Sequence, residues 1–189
     1  MPKRHISTLM LVLSAVALSA CTTKDIRYAS EQIEPSARIS SRYETVEVVE
    51  VTLPVYAASE QIFTQGADGA ITELGPLWAD NPARAITLKL ARDMGAITGA
   101  RVVPEPWPFR GRAEARVDVR IEEMLATSDG AFRIAGQFFV APENAKADRS
   151  GQFSISVPLP AKPTPIQIAT ARSAATSQLA EKIARTGLK

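Results

Sequence analysis

The residues on which most catalytic chemistry depends are scarce in this sequence. Its 189 residues hold one His and one Cys, His5 and Cys21, both close to the N-terminus. A single Cys rules out an intramolecular disulfide and a Cys-rich metal site. An excess of one charge is missing too: 22 Lys and Arg stand against 20 Asp and Glu. That balance argues against a nucleic-acid binder, which needs a basic face. After the N-terminus no run of 18 apolar residues occurs, whereas a membrane-spanning helix needs about 20. What is present is ordinary for a folded chain, with 46% hydrophobic and 22% charged residues. The length leaves room for one domain.

The N-terminus reads as a targeting segment. Lys3, Arg4 and His5 precede an apolar stretch from Ile6 to Ala17, broken only by Ser7, Thr8 and Ser14. It is too short to cross a bilayer and fits an export signal over residues 1–20. Leu18-Ser19-Ala20-Cys21 resembles the lipobox of bacterial lipoproteins. That resemblance implies cleavage before Cys21, a diacylglyceryl thioether on its sulfur and an acylated new amine. The covalent N-acyl diacylglycerol on Cys21 is then the only prosthetic group expected, with no other cofactor and no metal. Cleavage also removes His5, Lys3 and Arg4, which leaves acidic and basic residues in balance. Without His or a free thiol, neither a Ser-His-acid triad, a Cys-His pair nor a His-ligated metal can be built. Several acyl chains anchor stably where one is marginal, so the protein is expected to lie on a leaflet. Thr22 and Thr23 lack the Asp that resembles an inner-membrane retention signal. The implied location is the outer membrane, facing the periplasm.

Residues 21–43 are polar, lack a sustained hydrophobic period and read as an acylated tether. Such a chain spans roughly 70 Å when pulled straight, although docking of Tyr28 and Ile33 on the domain is left open. The domain proper is expected over residues 44–189. Thr45 to Leu53 is β-branched and strand-like. Its apolar phase changes between Val48 and Val49, which requires a bulge or cover on both faces. Ile62 to Gln65 and Ala70 to Leu74 flank Gly66-Ala67-Asp68-Gly69 as a hairpin. Asn81-Pro82 opens a helix with Ile86, Leu90, Met94 and Ile97 on one stripe, and Gly99 stops it. Lys89, Arg92 and Asp93 fall off that stripe. Pro104-Glu105-Pro106-Trp107-Pro108 reads as a stiff loop. Three alternating strands follow, 113–125, 131–141 and 152–159, joined closely enough to imply an antiparallel meander. A final helix from Ile166 to about Arg185 carries Ile168, Ala171, Ala175, Leu179 and Ile183. The fold class is therefore α/β of the mixed α+β kind: a single mixed, largely antiparallel sheet with two main helices.

From about Val46 onward the chain resembles the ABC-type transport auxiliary lipoproteins, outer-membrane partners of MCE-domain intermembrane transport systems. The resemblance rests on the lipobox, Val48 to Tyr56, Leu77-Trp78-Ala79-Asp80 before the first helix, and the Ala-rich last helix. It departs from the family pattern at Asn81, which separates the acidic residue from Pro82. The resemblance implies an anticodon-binding-domain-like fold and a non-catalytic accessory role. The implied partners are a periplasmic MCE-domain protein that carries phospholipid and its inner-membrane permease, with membrane integrity as the outcome. An outer-membrane lipoprotein that regulates or chaperones another envelope complex is the alternative, and a carrier that holds acyl chains itself is a third. Oligomeric state stays open, a homo-oligomer included.

Five side chains are candidates for partner contact. Trp78 suits an exposed anchor, although a Trp before a helix more often folds back on the core. Trp107 and Phe109, among prolines, form an apolar lip or a seal on the sheet edge. Arg116 and Arg120 belong to the ladder Glu114, Arg116, Asp118, Arg120, Glu122, which either pairs with a partner or is simply solvated. The adjacent acids Glu122 and Glu123 point to opposite faces of a strand and make no acid/base pair. Ser150 and Ser173 have no His to activate them.

Overall fold

The computed structural model describes residues 25–30, 32–144 and 147–189. The expected signal segment and Cys21 lie outside the described residues. Eight strands form one mixed sheet, and both helices pack on one of its faces.

The longest strands make the meander foreseen from alternation. β6 (Ala115–Thr127) pairs antiparallel with β7 (Ala131–Pro142), and β7 with β8 (Arg149–Pro158). Ala115, Val117, Val119 and Ile121 are buried toward the helices. The register then slips between Ile121 and Glu123. This bulge returns Met124 and Ala126 to the core although they are out of phase with Ile121. Gly136 sits across from the slip. A Cβ there would lie 2.0 Å from the Arg120 carbonyl oxygen, so only Gly lets the strands approach this closely.

On its other side β6 meets two shorter strands in succession. β2 (Thr45–Val48) pairs parallel with its first half, and β3 (Gln61–Gln65) with its second half. Between them Thr52 bridges to Arg120. The change of phase in the first strand thus falls where β2 ends and the chain runs on beside β6. β3 pairs antiparallel with β4 (Ile71–Trp78), the foreseen hairpin.

Helix α1 (Pro82–Thr98) starts as expected. The Asn81 side chain accepts the Arg84 N–H at 3.1 Å, Pro82 takes the first position, and Gly99 ends the helix at φ 72°. A cap of this kind is worth about 1 kcal/mol. Helix α2 (Pro165–Ile183) starts with Gln167 accepting the Thr164 N–H at 2.8 Å. A π-type turn over Ala184–Leu188 buries Leu188. Ile86, Leu90, Met94 and Ile97 of α1 join Ile168, Ala171, Ala175, Leu179 and Ile183 of α2 in one core with the sheet.

Two strands escaped the sequence reading. β5 (Arg101–Pro104) adds to β2 as an edge strand that ends at Pro104, where a missing N–H costs nothing. β1 (Arg27–Tyr28) pairs with the end of β4. β1 and residues up to 43, expected as a tether before a domain over 44–189, pack on the folded body. Ile39 and Tyr43 belong to the core. The Ile39 N–H reaches the Ile97 carbonyl at 2.9 Å, and the Arg42 N–H reaches the Leu188 carbonyl at 2.9 Å. Of the two outcomes left open for the tether, docking holds for Tyr28, which packs against the core. The physical reason is that a non-periodic segment can still bury single apolar residues when a groove between helix and sheet edge accepts them.

Candidate functional site

The sheet face opposite the helices carries the charged ladder. Alternation along β6 that buries Val117 and Val119 turns Arg116, Asp118 and Arg120 outward. The Arg116 Nη2 donates to Glu105 Oε2 at 3.1 Å, and its Nε lies 3.9 Å from Glu47 Oε2. The Arg120 Nη2 donates to Asp118 Oδ2 at 3.0 Å, and its guanidinium lies over Phe139, 5.0 Å from the ring centre. That hydrogen bond, and then the Asp118 charge, hold the Arg120 pKa above its ordinary value. Gln137 donates to Glu122 at 3.3 Å. The Arg116 and Arg120 side chains remain 56% and 59% exposed. Both keep N–H donors facing water, and a partner carboxylate can take them.

The proline loop closes one end of this face. Its Glu105-Pro106 bond is cis. The Trp107 N–H donates to Glu47 Oε1 at 3.0 Å. The Trp107 and Phe109 rings meet edge to face at 5.2 Å, and Arg101 sits 5.3 Å over the Phe109 ring. Phe109 is 48% exposed. The buried Trp107 indole N–H has no acceptor among the described residues. Glu47, Trp107, Arg112, Arg116 and Glu143 border a shallow cavity of about 360 Å³.

The structure therefore brings Trp107, Phe109 and Arg116 into one neighbourhood, with Arg120 further along the same face. Trp78 lies elsewhere. It is 3% exposed at the end of β4, within the core. Of its two readings the fold back on the core is the one this geometry fits: its ring is covered by the Arg172 guanidinium at 3.8 Å.

That Arg172 stack belongs to a polar cluster the sequence reading did not find. Arg172, on α2, is 4% exposed. Its Nε and Nη2 donate to Ser30 Oγ at 3.1 and 2.7 Å, and its Nη1 has no partner among the described residues. Burial pushes its pKa down to about 10, against an upward pull from Asp80. On the facing flank of α1, Lys89 and Asp93 form an ion pair at 2.9 Å with both side chains nearly inaccessible. Lys89 also donates to the Ile33 carbonyl at 3.1 Å, and Ser177 donates to Asp93 Oδ2 at 2.7 Å. The available signal was an Arg alone in a helix of small residues. The i,i+4 spacing of Lys89 and Asp93 looks the same on any solvated helix. Among the described residues no group of three His, Cys, Asp or Glu could hold a metal ion, and no helix is long and apolar enough to cross a membrane.

A family model described as ABC-type transport auxiliary lipoprotein component matches residues 29–184. Among solved structures, the chain is similar to one called an uncharacterized protein, with a TM-score of 0.68 and 16% identity over 85% of this chain and 98% of that one. It is also similar to a protein of Xanthomonas campestris placed in the family DUF330, with a TM-score of 0.67 and 13% identity over 84% of this chain and 91% of that one. At such identities the likeness shows a shared fold. No curated protein shows significant similarity to this chain.

Proposed function

The chain belongs to the family of ABC-type transport auxiliary lipoprotein components, and on that premise we propose that it is a lipid-anchored, non-catalytic accessory subunit of an intermembrane phospholipid transport system. In this reading Cys21 carries the acyl chains at the periplasmic leaflet of the outer membrane. The folded domain docks the periplasmic MCE-domain protein that works with an inner-membrane permease. The family match over residues 29–184 carries the reading.

The open sheet face supplies chemistry suited to such docking. Arg116 and Arg120 are exposed cations fixed by neighbouring acids, and Phe109 offers an exposed ring beside them. Aromatic and Arg side chains are the groups most enriched at binding hot spots. Each is held by its neighbours before a partner arrives, which lowers the ordering cost of association.

The test is capture of the cognate MCE-domain protein by the full lipidated chain. Wild type is expected to retain it. A Phe109→Ala, Arg116→Gln, Arg120→Gln triple variant is expected to lose at least tenfold in affinity while keeping its cooperative thermal transition. Cys21→Ser is expected to move the protein from the outer-membrane fraction to the soluble fraction. Wild-type chain that captures no MCE-domain protein, in cells where both are made, overturns the docking role.

A further inference from the structure

The cavity beside Arg172 is not accounted for by docking. It measures about 180 Å³ and is bordered by Ser30, Asp80, Lys89, Arg92, Arg172 and Thr176, among others. Its charges do not cancel. Asp93 is taken by Lys89, and Asp80 is taken by Arg84. Among the described residues the Arg92 guanidinium bonds to the neutral Gln32 side chain, and that of Arg172 to the hydroxyl of Ser30. Two guanidinium groups thus border one small space without a bonded carboxylate among the described residues.

Burying a cation without a counter-ion is costly. Here the Trp78 ring holds the guanidinium from one side, and Ser30 fixes its orientation by accepting two N–H groups. Because Ser30 Oγ already accepts, its own hydroxyl proton is left to donate. Arg172, Ser30 and Arg92 all border this pocket of oxyanion size, and each brings hydrogen-bond donors, the buried Arg172 Nη1 being unpartnered among the described residues. Among the described residues Asp80 is the one carboxylate that borders the pocket, and Arg84 already engages it.

We propose that this pocket binds a phosphate group through Arg172 Nη1, Ser30 Oγ and Arg92. A planar guanidinium and a hydroxyl match the tetrahedral array of acceptors on a phosphoryl group. The group can come from a phospholipid headgroup or from a soluble phosphate. The position favours the headgroup. Cys21 precedes Tyr28, another pocket residue, by seven positions, and seven residues span at most about 25 Å. This preference rests on the anchor at Cys21 proposed above, whereas phosphate binding itself does not.

The test uses full-length mature protein carrying Trp107→Phe, so that Trp78 is the remaining indole and reports on its guanidinium neighbour. Titration with inorganic phosphate or glycerol phosphate is expected to give a saturable change in Trp78 fluorescence and a raised melting temperature. Acetate and chloride at equal ionic strength give neither. Arg172→Met abolishes the response. Ser30→Ala leaves the buried charge in place and weakens binding about tenfold, so a folding defect in Arg172→Met cannot imitate the result. Vesicles of neutral lipid with and without phosphatidic acid, offered to the Cys21→Ser form, decide the source. Arg172-dependent binding only to the acidic vesicles assigns the headgroup, and response to soluble phosphate alone assigns a free ligand. No saturable response to any phosphate in wild type overturns the proposal. So does a response that appears only in Glu31→Gln, since the chain's own carboxylate would then be the natural occupant. Failure of the anchor reading would show separately, as Cys21 without lipid and phosphate binding intact.

Discussion

Two buried cations on facing helix flanks have opposite consequences. Lys89 has a full partner set: the Asp93 carboxylate and the Ile33 carbonyl. Removing it strands a buried carboxylate, and breaking such a pair costs about 3–5 kcal/mol. Lys89→Met is therefore expected to lower the urea unfolding free energy by about that much. Adding Asp93→Leu should recover most of the loss, because a buried pair replaced by apolar groups is often neutral. Arg172→Met removes a charge that was already strained by burial and is expected to cost less than Lys89→Met in the same measurement. The sequence placed Lys89 and Asp93 off the apolar stripe of α1, which is correct for that stripe. It did not reveal that α2 and the segment around Ile33 cover the flank as well, because periodicity describes one interface and this helix has two.

Tyr56 gives a residue-level pH prediction. Its hydroxyl accepts the Met124 N–H at 3.0 Å. Burial raises the phenol pKa above 10.0, the Glu123 charge adds to the rise, and the Met124 hydrogen bond opposes it. A raised pKa means that the folded state prefers the neutral phenol. The stabilisation is present below the unfolded value near 10 and is lost as pH climbs through the folded value. The unfolding free energy of wild type relative to Tyr56→Phe is expected to stay constant below pH 10 and to fall above it. Denaturant titrations of both proteins across that range read the slope directly, and a difference flat to pH 11 would contradict the assignment.

Elements differed in how far the sequence disclosed them. The meander β6–β7–β8 and the two helices were legible because each is long, periodic and bounded by Gly, Pro or Asn. β1 and β5 were not, because two or four residues cannot establish a period, and their pairing is with strands distant in sequence. The parallel placement of β2 and β3 along one edge of β6 was equally hidden, since only tertiary packing fixes it. Of the site, Arg116 and Arg120 were legible as the outward half of an alternation. The bulge after Ile121 was not, although Met124 breaks the phase in plain view. Its structural counterpart is Gly136. Gly136→Ala would push a methyl to within 2.0 Å of a carbonyl oxygen, which the ladder on both sides prevents from moving. Overpacking costs typically 1–3 kcal/mol, and each kcal/mol lowers the melting temperature of a chain this size by about 2–4 °C. A loss of at least 2–4 °C in a thermal melt is expected. An unchanged melt would mean that the β6–β7 pair opens there at no cost.

At the scale of the whole molecule, with the anchor at Cys21 proposed above, the N-terminal segment decides how the domain meets its membrane. A tether free to residue 43 would let the domain roam roughly 70 Å from the anchor. Strand β1 begins at Arg27, six positions after Cys21, so the extended reach to it is only about 20 Å. The folded body also needs what the tether reading would discard. Ile39 and Tyr43 are in the core, and main-chain bonds tie 39 to the end of α1 and 42 to the C-terminal turn. Removal of two large buried side chains costs several kcal/mol each by the measure of core truncations, against a total stability of about 5–15 kcal/mol. Protein starting at residue 25 is expected to melt at the same temperature as protein starting at residue 21. Protein starting at residue 44 is expected to be unfolded or to lose its cooperative transition in calorimetry. If the shorter protein melts as sharply and as high as the longer one, residues 25–43 are an ornament on the domain, and the short reach from the proposed anchor to the pocket loses its basis.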